Sequence, residues 1–407
     1  MLLFCATVAG VAGGEPVVVE SEHYRLTSAG TRAEAEDWSR MLETAYPKYA
    51  EFFGKAPALA KGERLAVSFS ETSAEMEAAI KKGGGASPGG EGGYYDPVSK
   101  CAYLFRQPSV WYTRALLLHE CAHQFHWRAR ALTSSPPFWY GEGIAEHLAH
   151  HTWDGEHLRL GVVPALTLEK YAGKALEAAK APAFDLGRVV DAATGDDRPV
   201  AMHLVRFLCA GENGKLRAKF DDAGQRMERG AKFDAAAFAR TFGPAKKFAA
   251  DFRAWLETVQ EPWEVLTVDW DARAADALRG ASPNVVSLCR RRAETTKVAA
   301  TLRFVGDGGR NGGLLLRWAS GDEYDLLMIR GGRVRIERRK DGRWTTTSDV
   351  EAPPSDEGAW RVEAVRDGGV VKCTVNGAAV AELEVPAGSM GLCLDASTVD
   401  FTEIRAE

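Results

Sequence analysis

The residues best placed to do chemistry lie between Leu116 and Ala149. LLLHECAHQFHW contains His119, Glu120 and His123 in the spacing H-E-x-x-H, and FWYGEGIAEHLA brings Glu142 after a further eighteen residues. On a helix, positions i and i+4 lie on one face. His119 and His123 can therefore aim two imidazoles at one ion, while Glu120 points to the same mouth without ligating. A zinc hydrolase needs this arrangement: nitrogen ligands for a borderline metal, and a carboxylate to take a proton from metal-bound water. The four-letter spacing alone arises by chance in roughly 1% of chains of this length, so its surroundings decide.

Those surroundings are helical. Val110 to Arg130 carries apolar Leu116, Leu117, Ala122 and Phe125 with no Gly or Pro inside, and seven of the nine histidines fall between 119 and 157. A second helix is predicted over Phe138–Ala149, after Pro136-Pro137, with Glu142 near its start. Glu146, one turn further on, competes with Glu142 for an ion or supports a ligand from behind. His147, His150 and His151 form an alternative ligand set or a solvated polar face.

HE-x-AHQ followed by W-x-x-EG-x-A resembles the gluzincin metallopeptidases, both the aminopeptidase-N type and the peptidase MA-like proteins of bacteria. The matching residues are His119, Glu120, Ala122, His123, Gln124, Trp139, Glu142, Gly143 and Ala145. The resemblance implies a Zn2+ held by His119, His123 and Glu142, with Glu120 as general base. It implies a transition-state donor well after the glutamate helix; in the comparable region, Arg198 to Phe207, His203 is the only imidazole and Arg198 the other cationic candidate. It implies a peptide or protein substrate, cut at internal bonds. Tyr95, in GGYYD, stands where aminopeptidases carry a glutamate for the substrate's amino terminus; a neutral phenol cannot replace that ionic partner, which argues against aminopeptidase activity. The clear similarity spans about thirty residues.

The rest of the chain sets bounds. Its 407 residues suggest two or three domains, and 45% hydrophobic with 26% charged residues is ordinary for a globular protein. A net charge of −5 argues for neither nucleic acid nor an anionic membrane as partner. Residues 1–14, MLLFCATVAGVAGG, look like a secretory signal, which implies a secreted or periplasmic protein. They lack the usual Lys or Arg near the start, as in a chain whose true N-terminus lies upstream. No other stretch is long and apolar enough to cross a membrane. Six further cysteines, 101, 121, 209, 289, 373 and 393, are scattered without a C-x-x-C pair. The glycine-rich stretch 83–93 lacks the Lys-Ser/Thr of a phosphate-binding loop and is read as a loop near the cleft.

Residues 15–262 read as a gluzincin-like metallopeptidase domain of α+β class, with strands before the H-E-x-x-H helix and helices after it. Near Pro262-Trp263 the texture changes. From 263 to 407, short alternating runs are separated by Gly331-Gly332, Asp341-Gly342, Gly368-Gly369 and Asn376-Gly377. That spacing predicts an all-β jelly-roll sandwich. GLLLRW, VKCTVNGAAVAELEV and GLCLDASTVDFTEIRAE resemble laminin-G/concanavalin-like domains, which take glycan or protein ligands. The arginine run Arg330 to Arg339 is a solvated strand face or an anionic-glycan contact. The expected protein is thus a secreted zinc metallopeptidase with an accessory sandwich. The alternatives are a binding or adhesion protein that uses the sandwich on an inactive scaffold, and a zinc hydrolase of other bonds.

Overall fold

The structure is a computed structural model that describes residues 15–86, 89, 92–166, 170–192, 197–267, 269–306 and 308–407. The signal-like segment 1–14 and part of the glycine-rich stretch lie outside the described residues.

The chain opens with β1 (Val17–Glu20), β2 (Tyr24–Ser28), α1 (Arg32–Phe53), β3 (Leu65–Ser70), α2 (Ser73–Lys82), β4 (Gly93–Asp96) and β5 (Cys101–Phe105). These strands form one sheet in the order β1-β2-β3-β5-β4. The centre is parallel and both edge strands are antiparallel to their neighbours. Parallel neighbours need crossovers, and α1 and α2 supply them. Thr31 caps α1 by accepting from the Glu34 N–H, and Gly54 closes it at φ 72. The stripe Ala35, Trp38, Leu42, Ala45 and Tyr49 is buried, as its spacing predicts.

Next comes α3 (Val110–Arg130), capped by Ser109, and then α4 (Phe138–Ala149). A hairpin of β6 (His151–Trp153) and β7 (Leu158–Leu160) leads into α5 (Tyr171–Lys180), α6 (Leu186–Asp191), α7 (Arg198–Ala210), α8 (Arg217–Glu228), α9 (Ala235–Phe242) and α10 (Ala245–Thr258). The sheet, α3, α4 and the later helices share one apolar core that includes Phe125, Trp139, Leu204 and Phe252.

From Trp263 the chain is all β: β8 (Trp263–Val265), β9 (Trp270–Ala274), β10 (Ala277–Arg291), β11 (Lys297–Phe304), β12 (Asn311–Ser320), β13 (Glu323–Arg330), β14 (Arg333–Lys340), β15 (Arg343–Glu351), β16 (Ala359–Asp367), β17 (Val370–Val375), β18 (Ala378–Glu384) and β19 (Ser389–Ala406). The strand order β15-β14-β13-β12-β19-β11-β16-β17-β18, with β10 also on β19, makes a β-sandwich. Its two longest strands, β10 and β19, pair with each other along their length, and their register shifts between Ser282 and Val286. One half of β19 pairs with β12 and the other with β11, so β19 runs through both layers. Asp341-Gly342 and Asn376-Gly377 turn their hairpins with positive φ at both residues.

The two parts share buried surface. Trp111 and Ala115 of α3 belong to the same apolar cluster as Trp270, Leu278 and Phe401 of the sandwich. Arg114 of α3, 2% exposed, donates to Asp271 of β9 at 2.5 Å.

Candidate metal centre

α3 presents His119 and His123 one turn apart, and α4 crosses it so that Glu142 faces both. The two Nε2 atoms are 3.1 Å apart. Glu142 Oε2 lies 3.4 Å from His119 Nε2, and Glu142 Oε1 lies 3.3 Å from His123 Nε2. A tetrahedral ion with ligands at about 2.0–2.1 Å requires donors about 3.3 Å apart, so the two imidazoles and the Glu142 carboxylate stand close enough together to hold one zinc-sized ion. Among the described residues, this is the one group of three His, Cys, Asp or Glu side chains close enough to hold a metal.

The supporting groups are ordered around it. His119 Nδ1 faces Glu146 Oε1 at 3.6 Å, so Glu146 stands behind a donor ring and fixes which nitrogen points forward. The Tyr171 hydroxyl donates to Glu146 at 3.4 Å, and Arg198 donates to Glu142 at 2.7 Å. Burial alone would push the His119 imidazole down, but the carboxylates of Glu146, Glu142 and Glu120 outweigh it and raise it to about 9. Burial would raise the Glu142 carboxyl, yet His123 and His119 hold it far below the usual carboxylate range. Burial raises Glu120 and Glu146.

Glu120 lines the same cleft, a cavity of about 550 Å³ bounded by β4, α3, α4 and α5. Gly93 of the edge strand touches it: a Cβ there would lie 2.8 Å from both Cγ and Oε1 of Glu120. Among the described residues β4 pairs with β5 alone, and its residues Gly93 to Tyr95 line the cleft. Tyr94 and Tyr95 line the same wall, and burial keeps the Tyr95 phenol neutral by raising it to about 12.

His203 is not among the residues that line the cleft. It lies 1% exposed on α7, donates from Nδ1 to the Pro199 carbonyl, and packs near Trp255. The expectation that it donates to a reacting group is corrected: the face of α7 that carries it turns into the helical core. Arg198, at the start of the same helix, lines the cleft instead. His147, His150 and His151 do not converge as a ligand set. His150 and His151 donate to the carbonyls of Glu146 and Ala149, and His147 sits against Gly161 and Phe52. Sequence reasoning missed Tyr171, which lies far from the motif and carries no local signal.

No family model matches the chain, and no curated protein matches it. Similar solved structures include the carbohydrate-binding module CBM66 from Bacillus subtilis, 15% identical over 36% of this chain and 95% of that one, with a TM-score of 0.32. The GH43 protein BlXynB from Bacillus licheniformis is 12% identical over 36% of this chain and 37% of its own, with a TM-score of 0.29. Galectin LEC-6 from Caenorhabditis elegans is 16% identical over 32% and 96%, with a TM-score of 0.25.

The expected gluzincin membership is corrected: no family model and no curated protein supports it, and the similar structures cover about a third of the chain. The resemblance rested on about thirty residues, of which only His119, Glu120, His123 and Glu142 bear on an ion, and those four types suit a metal whatever the ancestry. What stands is the β-sandwich and, beside it, the cluster read from its own distances. Among the described residues no helix is long and apolar enough to cross a membrane. The cysteines 101, 121, 209, 289, 373 and 393 are free thiols, all buried except the partly buried Cys209.

Proposed function

We propose that this chain joins a glycan-binding β-sandwich to a zinc-dependent hydrolytic cleft that acts on a carbonyl-centred bond, an ester or an amide. The observation that carries the hydrolytic part is the convergence of His119 Nε2 and His123 Nε2, 3.1 Å apart, on the Glu142 carboxylate, which turns one oxygen to each ring at 3.3–3.4 Å. Zinc, when bound there, supplies a Lewis acid that lowers the pKa of water and polarises a carbonyl. Glu120 is the residue positioned to take and return a proton: it is buried, its proton affinity is raised, and Gly93 leaves it room on the cleft side. Glu146 orients His119, and Arg198 offsets the charge of Glu142 and stands ready for a negative oxygen. The free edge of β4 aligns an extended substrate.

Zinc content measured beside two variants tests this. One equivalent is expected in the wild type, lost in Glu142→Ala and retained more weakly in Glu146→Ala. A wild type that takes up no zinc on reconstitution would leave the second reading, a binding protein on an inactive scaffold. That reading is favoured by the aromatic and polar groove on the sandwich, where Trp344 is 43% exposed. Glycan-array binding that persists unchanged in Glu120→Gln, with no turnover of ester or amide reporters by the wild type, would establish it.

A further inference from the structure

One face of the sandwich carries a row of side chains that spans four strands. Trp318 of β12 stands opposite Tyr324 of β13, Tyr324 opposite Arg339 of β14, and Arg339 opposite Trp344 of β15. Alternation along the strands fixes which face this is. Leu327, Ile329, Val334 and Ile336 join the main core of the sandwich, so Tyr324, Arg335, Glu337 and Arg339 face the other way.

The row is in contact throughout. The Trp318 and Tyr324 rings stack at 5.6 Å with 19° between their planes, and Trp344 meets Tyr324 edge-on at 5.6 Å. The Arg339 guanidinium lies 5.6 Å from the Trp344 ring and 6.0 Å from Tyr324. Beside the row, Arg330, Arg335, Glu337 and Asp395 border a groove of about 530 Å³. Trp344 is the one aromatic among the exposed large hydrophobic residues described.

We propose that this groove binds a carbohydrate carrying carboxylate or sulfate groups, a proposal that rests on the glycan-binding reading of the sandwich. An exposed indole offers a flat apolar face to the C–H side of a pyranose ring. Glu337 and Asp395 accept from sugar hydroxyls, and the arginines donate. The charge balance of the groove selects the anion. Three arginines line it against two carboxylates, and Asp395 already engages Arg330 at 2.8 Å. Arg335 meets Asp349 at 3.3 Å, and the carboxylate beside Arg339, Asp322, is 75% exposed and 3.4 Å away. A planar carboxylate or a sulfate is the natural partner of such a guanidinium. A nucleic-acid backbone is disfavoured by Glu337 and Asp395 in the groove and by the net charge of −5.

Titration calorimetry on the full chain decides this, with oligogalacturonate, a sulfated oligosaccharide, neutral xylo-oligosaccharide and a single-stranded oligonucleotide as probes. One of the two anionic sugars should bind at least about tenfold more tightly than the neutral one, with a preference that falls as salt rises. Which of the two binds distinguishes carboxylate from sulfate. Trp344→Ala should weaken binding about tenfold, and Arg339→Gln should bring the anionic preference close to one. Equal or tighter binding of the neutral sugar overturns the anionic assignment and leaves glycan binding in place. No binding of any sugar overturns both. Tighter binding of the oligonucleotide, or wild-type affinity in Trp344→Ala, also overturns the proposed site.

Discussion

Glu120 and Glu142 share one cleft, yet their surroundings pull their proton affinities apart. Glu142 sits between two imidazoles and stays ionised, as an ion's ligand must; burial pushes Glu120 toward holding a proton. That division depends on a close contact at Gly93, where a side chain would meet the Glu120 carboxylate. Gly93→Ala should therefore keep its zinc and lose about tenfold or more in turnover of an ester or amide reporter, because only the proton-transferring group is displaced. Unchanged turnover would remove Glu120 from the role of base. The other histidines predict a pH effect. His147, His150 and His151 are pushed down to about 3 and His203 to about 4, in each case chiefly by burial. Below the unfolded value of about 6.5 the unfolded chain binds protons that the folded chain refuses. Stability is therefore complete above that value and is lost as pH falls toward the folded values, by on the order of 1 kcal/mol per imidazole at pH 5.5. His119, raised to about 9, works the other way: its favourable effect is complete below 6.5 and is progressively lost as pH rises from there toward 9, which offsets about one imidazole's share of the difference between pH 5.5 and 7.5. Urea denaturation at pH 7.5 and 5.5 measures the difference. Replacement of the fully buried His151 by Gln should reduce it, and equal stability at the two pH values would contradict the buried neutral assignment.

At the scale of elements, the position of Glu142 is set by how closely α4 approaches α7. A Cβ on Gly143 would lie 2.6 Å from the Ala201 carbonyl oxygen and 2.7 Å from a Val205 methyl. Gly143→Ala should push the helices apart, cost about 1–3 kcal/mol in denaturant unfolding, and weaken zinc retention by moving Glu142. Stability and zinc content equal to wild type would mean that α4 is not held by this contact. Both helices of the site were legible in the sequence, α3 and α4 with the bounds that periodicity predicts. Ser109 caps one, and Pro136-Pro137 precedes the other. The hairpin β6–β7 and the helix α6 were not, because three to six residues carry too little periodicity. β10 and β19 were unread as long strands because they bend between layers and their alternation breaks there. The turns at Asp341-Gly342 and Asn376-Gly377 were legible because positive φ selects those residues. His203 shows the limit at the site: that α7 is a helix follows from sequence, but which face it buries depends on Trp255, more than fifty residues away. The family expectation failed for a related reason. Two histidines one turn apart with a nearby glutamate satisfy an ion, and that requirement alone does not carry the substrate.

At the scale of the whole molecule, the sandwich acts as a wall for the helix that carries His119. Arg114, five residues before it, is buried and held by Asp271 of the sandwich, while Trp111 donates to the His151 carbonyl and packs into the sandwich cluster. Arg273 of the sandwich donates to the Asp154 carbonyl, and Lys170 pairs with Glu264 at 2.5 Å across the same seam. A buried guanidinium left without its carboxylate costs about 3–5 kcal/mol, since the charge keeps its desolvation and loses its partner. The two parts should therefore unfold in one transition in the wild type, despite their different architectures. Asp271→Ala should lower that transition by about 3 kcal/mol and let zinc be stripped by a weaker chelator, because the first turns of α3 lose their anchor while every donor atom remains. Calorimetry with chelator competition, run on the full chain, reads both effects. Two separate transitions in the wild type, or a variant with unchanged zinc affinity, would show that the seam is passive and that α3 is held from the sheet side alone.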